Sequence, residues 1–147
     1  MERERSVGEQ KIRFDREATV TLYGDRIKVP GADQCDCIGC KNFAAQRSKV
    51  YPEDFLRLLE ELGADPLKEW EAFDYDFGRE NLKSHLYGGW FLFCGELVDG
   101  AEKRPERPGF SYWFTTSFPA ATVPHDVKVC AVEFITELPW VLSEMPE

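Results

Sequence analysis

The chain has 147 residues, 43% of them apolar and 14% aromatic, which suits one globular domain with a full core and argues against a disordered chain. Its 27 acidic against 18 basic residues leave a net charge of −9, which opposes nucleic-acid phosphates. No apolar run reaches the length of a membrane-spanning helix, the longest being residues 90–94.

Residues 1–11 alternate acidic and basic side chains and are expected to fray. They carry no apolar secretory segment, so the expected compartment is the cytoplasm, where reduced cysteines more often bind metals or catalyse than form disulfides. Within 19–29, two β-rich runs flank Gly24 and Asp25, which predicts a hairpin. Pro30 and Gly31 end it, a cysteine-rich turn follows, and a short helix is expected over 41–47. Over 52–62, Phe55, Leu58, Leu59 and Leu62 repeat at i, i+3, i+4, i+7 and predict an amphipathic helix, with Pro52 in its first turn and Gly63 as its stop. Asp65 and Pro66 predict the start of a second helix that presents Leu67 and Trp70.

Alternation over 73–77 resembles a strand instead. Residues 86–98 are apolar on both faces, as in a central strand, with Gly88 and Gly89 near their start and Gly95 interrupting them. Residues 99–109 are an expected exposed loop. Residues 110–118 alternate, with Phe110, Tyr112, Phe114 and Phe118 on one face and Trp113 on the other, and 127–138 form a last strand. The sum is a single-domain α+β fold: a mainly antiparallel sheet of about four to six strands, with two or three helices packed on one face.

Cys35, Cys37 and Cys40 concentrate the reactive chemistry of the chain. Thiolates are soft ligands, and a C-x-C-x-x-C turn with Gly39 in its bend can bring three of them to one ion. Zinc needs a fourth donor, for which Cys94, Cys130, His85 and His125 are candidates, with Asp33 and Asp36 as local carboxylates. Cys94 and Cys130 also read as small core residues, and both histidines as ordinary hydrogen-bonded or loop residues. Two other readings stay open: three reduced thiols with no ligand, and a redox pair at Cys37 and Cys40 beside a helix N-terminus. Phosphate-loop, nucleophile-elbow and zinc-protease motifs are absent, and Glu60-Glu61 and Glu69-Glu71 read as solvated helix faces. Trp113, with Ser111 and Thr115 as its neighbours on the same face, is a candidate anchor for a protein partner.

The Cys35-x-Cys37-x-x-Cys40-x-Asn42-Phe43 element, the 51–63 helix segment, the Tyr87-Gly88-Gly89-Trp90-Phe91 strand and the Leu138-Pro139-Trp140 ending resemble a family of small uncharacterised bacterial proteins. The resemblance implies a bacterial cytosolic setting and brings no activity, cofactor or catalytic residue with it. The expected function is therefore a non-enzymatic protein-interaction domain with a cysteine-rich, zinc-binding loop. The alternative is a redox or open-site metal enzyme that uses Cys35, Cys37 and Cys40.

Overall fold

In the computed structural model, which describes residues 1–79, 82–105, 109–118 and 126–143, strands begin almost at the N-terminus. β1 (Glu2–Val7) and β2 (Gln10–Asp15) form an antiparallel hairpin about Gly8, whose φ of 59° suits glycine. The expected fraying of 1–11 is corrected here. Ile12 and Phe14 anchor β2 in the core. Glu4 of β1 pairs with Lys11 and Arg13 of β2, so the alternating charges are an edge strand's cross-strand partners.

The hairpin expected over 19–29 is instead part of a helix, α1 (Arg16–Asp25). Its β-branched residues favour extended backbone, but Asp15 caps the helix by accepting from the Ala18 N–H at 3.0 Å. Thr19, Leu22 and Tyr23 then bury one helical face, and tertiary packing outweighs propensity. The second expected helix also does not form. Asp65 accepts from the Leu67 N–H at 2.9 Å in a turn, and Trp70 donates its N–H to the Trp90 carbonyl at 2.8 Å. The chain is thus drawn onto a sheet edge where a helix could not pair.

Two helices lie close to the expected ones: α2 (Ile38–Gln46), which starts three residues before the short helix expected over 41–47, and α3 (Glu53–Leu62), where periodicity places it. Pro52 is the N-cap of α3 and Gly63 ends it in the left-handed region at φ 88°. The remaining strands are β3 (Glu71–Asp74), β4 (Ser84–Asp99), β5 (Ser111–Thr115) and β6 (Val129–Pro139). The six strands form one antiparallel sheet in the order β1-β2-β4-β6-β5, with β3 also on β4, which makes this an α+β fold.

β4 is the spine. β6 pairs with residues 84–94 along one edge, and β3 and β2 share the other edge at 87–90 and 95–99. Between them α1 fills the gap. Tyr23 Oη donates to the Leu92 carbonyl at 2.7 Å, and Thr19 Oγ1 accepts from the Cys94 N–H at 2.9 Å. The main aromatic core lies where α2 and α3 meet the sheet: Phe43 packs on Tyr87 and Phe134, and Phe55 on Phe91, Phe110 and Tyr112. Phe134 and Tyr87 are fully buried there, so this face holds the helices rigidly over the sheet.

Candidate metal centre

The cysteine segment links a 3-10 turn (Gly31–Gln34) to α2. That turn is pinned from below. A Cβ on Gly31 would come within 2.5 Å of the Trp70 carbonyl, so only glycine allows the approach, and the Gly31 N–H donates to the Glu69 carbonyl at 2.7 Å. The Glu69 carboxylate is fully buried, accepts from the Ala32 N–H at 2.9 Å and pairs with Arg47 Nε at 2.8 Å. Arg47 also reaches Asp33 at 2.8 Å, tying the turn to the end of α2. Glu69 is therefore not on a solvated helix face as its sequence context suggests; it is a buried acceptor that organises the loop.

Past this turn, Cys35 and Cys37 are both extended and α2 starts at Ile38. Cys37 is the N-cap: its Sγ accepts from the Cys40 N–H at 3.3 Å, as a serine oxygen would. Cys35 Sγ accepts from the Cys37 N–H at 3.4 Å and stands 3.2 Å from Cys37 Sγ. The three sulfurs all lie within 4.8 Å of one another, and among the described residues they are the one such group of potential ligands. Four thiolates around zinc at about 2.3 Å stand about 3.8 Å apart, so the three sulfurs fit one ion after a small spreading of Cys35 from Cys37.

The site's electrostatics differ from one thiol to the next. The Cys37 backbone N–H, with hydrogen bonds from the Cys37 and Cys40 side chains, pulls the Cys35 thiol below its ordinary pKa against burial and Asp36. Burial drives the Cys40 thiol far upward, and it keeps its proton to share with the other two sulfurs. A metal cation replaces such shared protons, since its ligands are thiolates.

Behind the first turn of α2 lies a polar layer from the sheet. Tyr87 Oη donates to the Gly39 carbonyl at 2.7 Å and accepts from Asn42 Nδ2 at 3.2 Å. Asn42, itself buried, also donates to the Pro139 carbonyl at 3.1 Å and accepts from the Val141 N–H at 2.8 Å. Burial pushes the Tyr87 phenol upward, opposed by its bond from Asn42 and reinforced by Asp74, Cys40 and Cys37. Asp74 lies directly against Gly39, where an added Cβ would come within 2.5 Å of its carboxylate. The same carboxylate accepts from His85 Nδ1 at 2.8 Å, while His85 Nε2 is buried with no hydrogen-bond partner among the described residues.

Three of the four fourth-ligand candidates fall elsewhere. Cys94 pairs with Val129 in the sheet and Cys130 with Phe93; both are buried, and Cys130 Sγ donates to the Thr115 carbonyl at 3.3 Å. His85 faces Asp74, with Trp140 packed 4.9 Å from its ring. His125 lies outside the described residues. None of the first three joins the sulfur group. Trp113 is half-buried on β5, and its face neighbours Ser111 and Thr115 are buried, so that face is less polar than the sequence implies. Glu69, Asp74 and Tyr87 were not legible as site residues, because each reaches the loop from a distant segment, and Arg47 was not because its partners Glu69 and Asp33 meet only in the fold. Asn42 offered a local signal, two residues after Cys40 on the same short helix. Compared with protein-family models, curated proteins and solved structures, the chain has no significant match.

Proposed function

We propose that this protein binds a thiophilic metal ion, zinc, through Cys35, Cys37 and Cys40, and that the ion clamps the turn at 31–37 to the start of α2. The observation that carries this reading is the convergence of the three sulfurs within 4.8 Å at a loop already braced by Glu69 and Arg47. The fourth coordination position takes a donor from outside this triad. The role is binding rather than turnover, in the cytosol. Elemental analysis of purified protein should find about one zinc per chain, and cobalt substitution should give thiolate-to-metal charge-transfer absorption. Metal-free protein whose loop thiols alkylate equally fast with and without added zinc would remove the proposal.

A thiol redox reading has its own observation: Cys35 Sγ and Cys37 Sγ are 3.2 Å apart and the Cys35 thiol is acidified. It predicts that hydrogen peroxide oxidises the pair to a disulfide, two thiols giving two protons and two electrons and peroxide being reduced to water. The protein would lose two hydrogen masses, mapped to the 35–37 peptide.

A further inference from the structure

The sheet face opposite α2 and α3 has an order that the metal loop does not use. In register across four strands, Glu71 of β3 lies beside Trp90 of β4, Trp90 beside Glu133 of β6, and Glu133 beside Trp113 of β5. Directly opposed residues of antiparallel strands share a face, so carboxylate and indole alternate in one transverse row. All four side chains are half-buried. The next row continues the surface with Phe73, Gly88 and Ile135. Gly88 leaves room for the Tyr75 ring, which an added Cβ would meet at 2.7 Å, and Phe73 and Tyr75 pack 5.1 Å apart. Phe73 is 53% and Tyr75 45% exposed, which leaves a substantial aromatic surface in water.

The two carboxylates are uncompensated. Neither Glu71 nor Glu133 has an ion-pair partner among the described residues, and burial pushes both pKa values upward. The Trp90 indole N–H is buried without a hydrogen bond of good geometry, although its closeness to Glu133 partly offsets that upward push. At the β5 end the row meets positive charge, where Lys103 and Arg104 line a cleft with Trp113.

We propose that this row is a docking surface for a basic segment of a partner protein, whose arginine or lysine side chain lies over the Trp90 and Trp113 indoles and pairs with Glu133 and Glu71. Charge complementarity selects this occupant. Indole faces attract cations, arginine most readily because its planar guanidinium both stacks and pairs with a carboxylate. A cation supplies what the half-buried carboxylates lack. The net charge of −9 also draws basic partners toward the protein before contact.

The test uses the full chain and a fluorescently labelled hexa-arginine peptide, read by anisotropy at physiological salt. The Glu71→Gln/Glu133→Gln variant removes the two charges without changing shape, and Trp113→Phe keeps an aromatic ring at that position as a second, milder change. A charge-matched control, Asp54→Asn/Glu60→Gln, alters exposed residues of α3. Binding should weaken about tenfold in the first variant and severalfold for Trp113→Phe, with the control within about twofold of wild type. Equal weakening in the control would show diffuse attraction only and overturn the assignment, as would no binding by the wild type. So would a wild-type dimer that dissociates in the Glu71→Gln/Glu133→Gln variant, because the face would then belong to a second copy of the chain.

Discussion

Gln10 stands in for a strand beside Phe114. Its Nε2 donates to the Phe114 carbonyl and its Oε1 accepts from the Phe114 N–H, both at 2.8 Å, from a side chain that is buried at the start of β2. One amide thereby reproduces the bond pair that a neighbouring residue would make on the β5 edge, and it curls β2 back toward β5. Gln10→Ala should cost about 2–3 kcal/mol, because both backbone groups of Phe114 would be left buried and unpaired. Gln10→Glu should cost at least as much, because its carboxylate accepts from the N–H but cannot donate to the Phe114 and Ala101 carbonyls and buries an unpaired charge. Urea unfolding midpoints of the three proteins check the order.

Arg47 and Glu69 make the second prediction. Glu69 is fully buried, so Arg47→Ala strands a carboxylate without its cation and should destabilise the fold by about 3 kcal/mol. Arg47→Lys keeps the charge but lacks the guanidinium fork that serves Glu69 and Asp33 together, and should fall in between. Cobalt affinity should decline in the same order, because the turn that delivers Cys35 loosens with it. An unchanged affinity in a destabilised Arg47→Ala protein would separate the ion pair from the metal loop.

Gly39→Ala tests the contact between the thiol loop and the sheet. The added methyl would come within 2.5 Å of the Asp74 carboxylate and 3.0 Å of its Cβ, and Asp74 is held by fully buried His85. Overpacking of this kind costs about 1–3 kcal/mol. Thermal melting should shift down in metal-free and zinc-loaded protein alike, with a larger loss in the loaded form because the first turn of α2 carries two ligands.

The division between what the sequence showed and what it hid follows the range of the interactions. α3 was readable from Phe55, Leu58, Leu59 and Leu62 with Gly63, because an amphipathic stripe and its stop are local. The β4 and β6 strands were readable from their apolar runs. α1 was not, because its short β-branched stretch resembles a strand until Asp15 caps it and β4 offers an edge for Thr19 and Tyr23. In the site, spacing alone exposed the three cysteines. Glu69 lies thirty-odd residues beyond Cys35 and two before Glu71, where nothing local distinguishes a buried acceptor from a solvated one.

The fourth prediction concerns alkaline pH. Burial raises the Cys130 thiol to about 11, against about 8.5 in an unfolded chain. A group with a raised folded pKa keeps its full stabilising contribution below the unfolded value and loses it as pH climbs toward the folded one. Stability should therefore be flat below pH 8 on this account and drop by about 2 kcal/mol by pH 10.5. Tyr23 and Tyr51, pushed upward by burial, add to the decline above their ordinary range. Cys130→Ala should lower the plateau but flatten the slope between pH 8.5 and 10, as read from urea midpoints across the series. An unaltered slope would assign the decline to the Cys40 and Cys94 thiols, which burial also raises.

The gap on β4 that Tyr23 and Thr19 close has a consequence for how this protein fails. Residues 91–94 are Phe-Leu-Phe-Cys, an uncharged and strongly β-forming run whose outward backbone groups are satisfied by side chains of a ten-residue helix rather than by another strand. If α1 peels away while the rest of the sheet holds, the molecule presents a ready template for intermolecular cross-β pairing. Self-association under mild heating should then begin from this segment, and the integrity of one short helix should govern the shelf life of the whole fold.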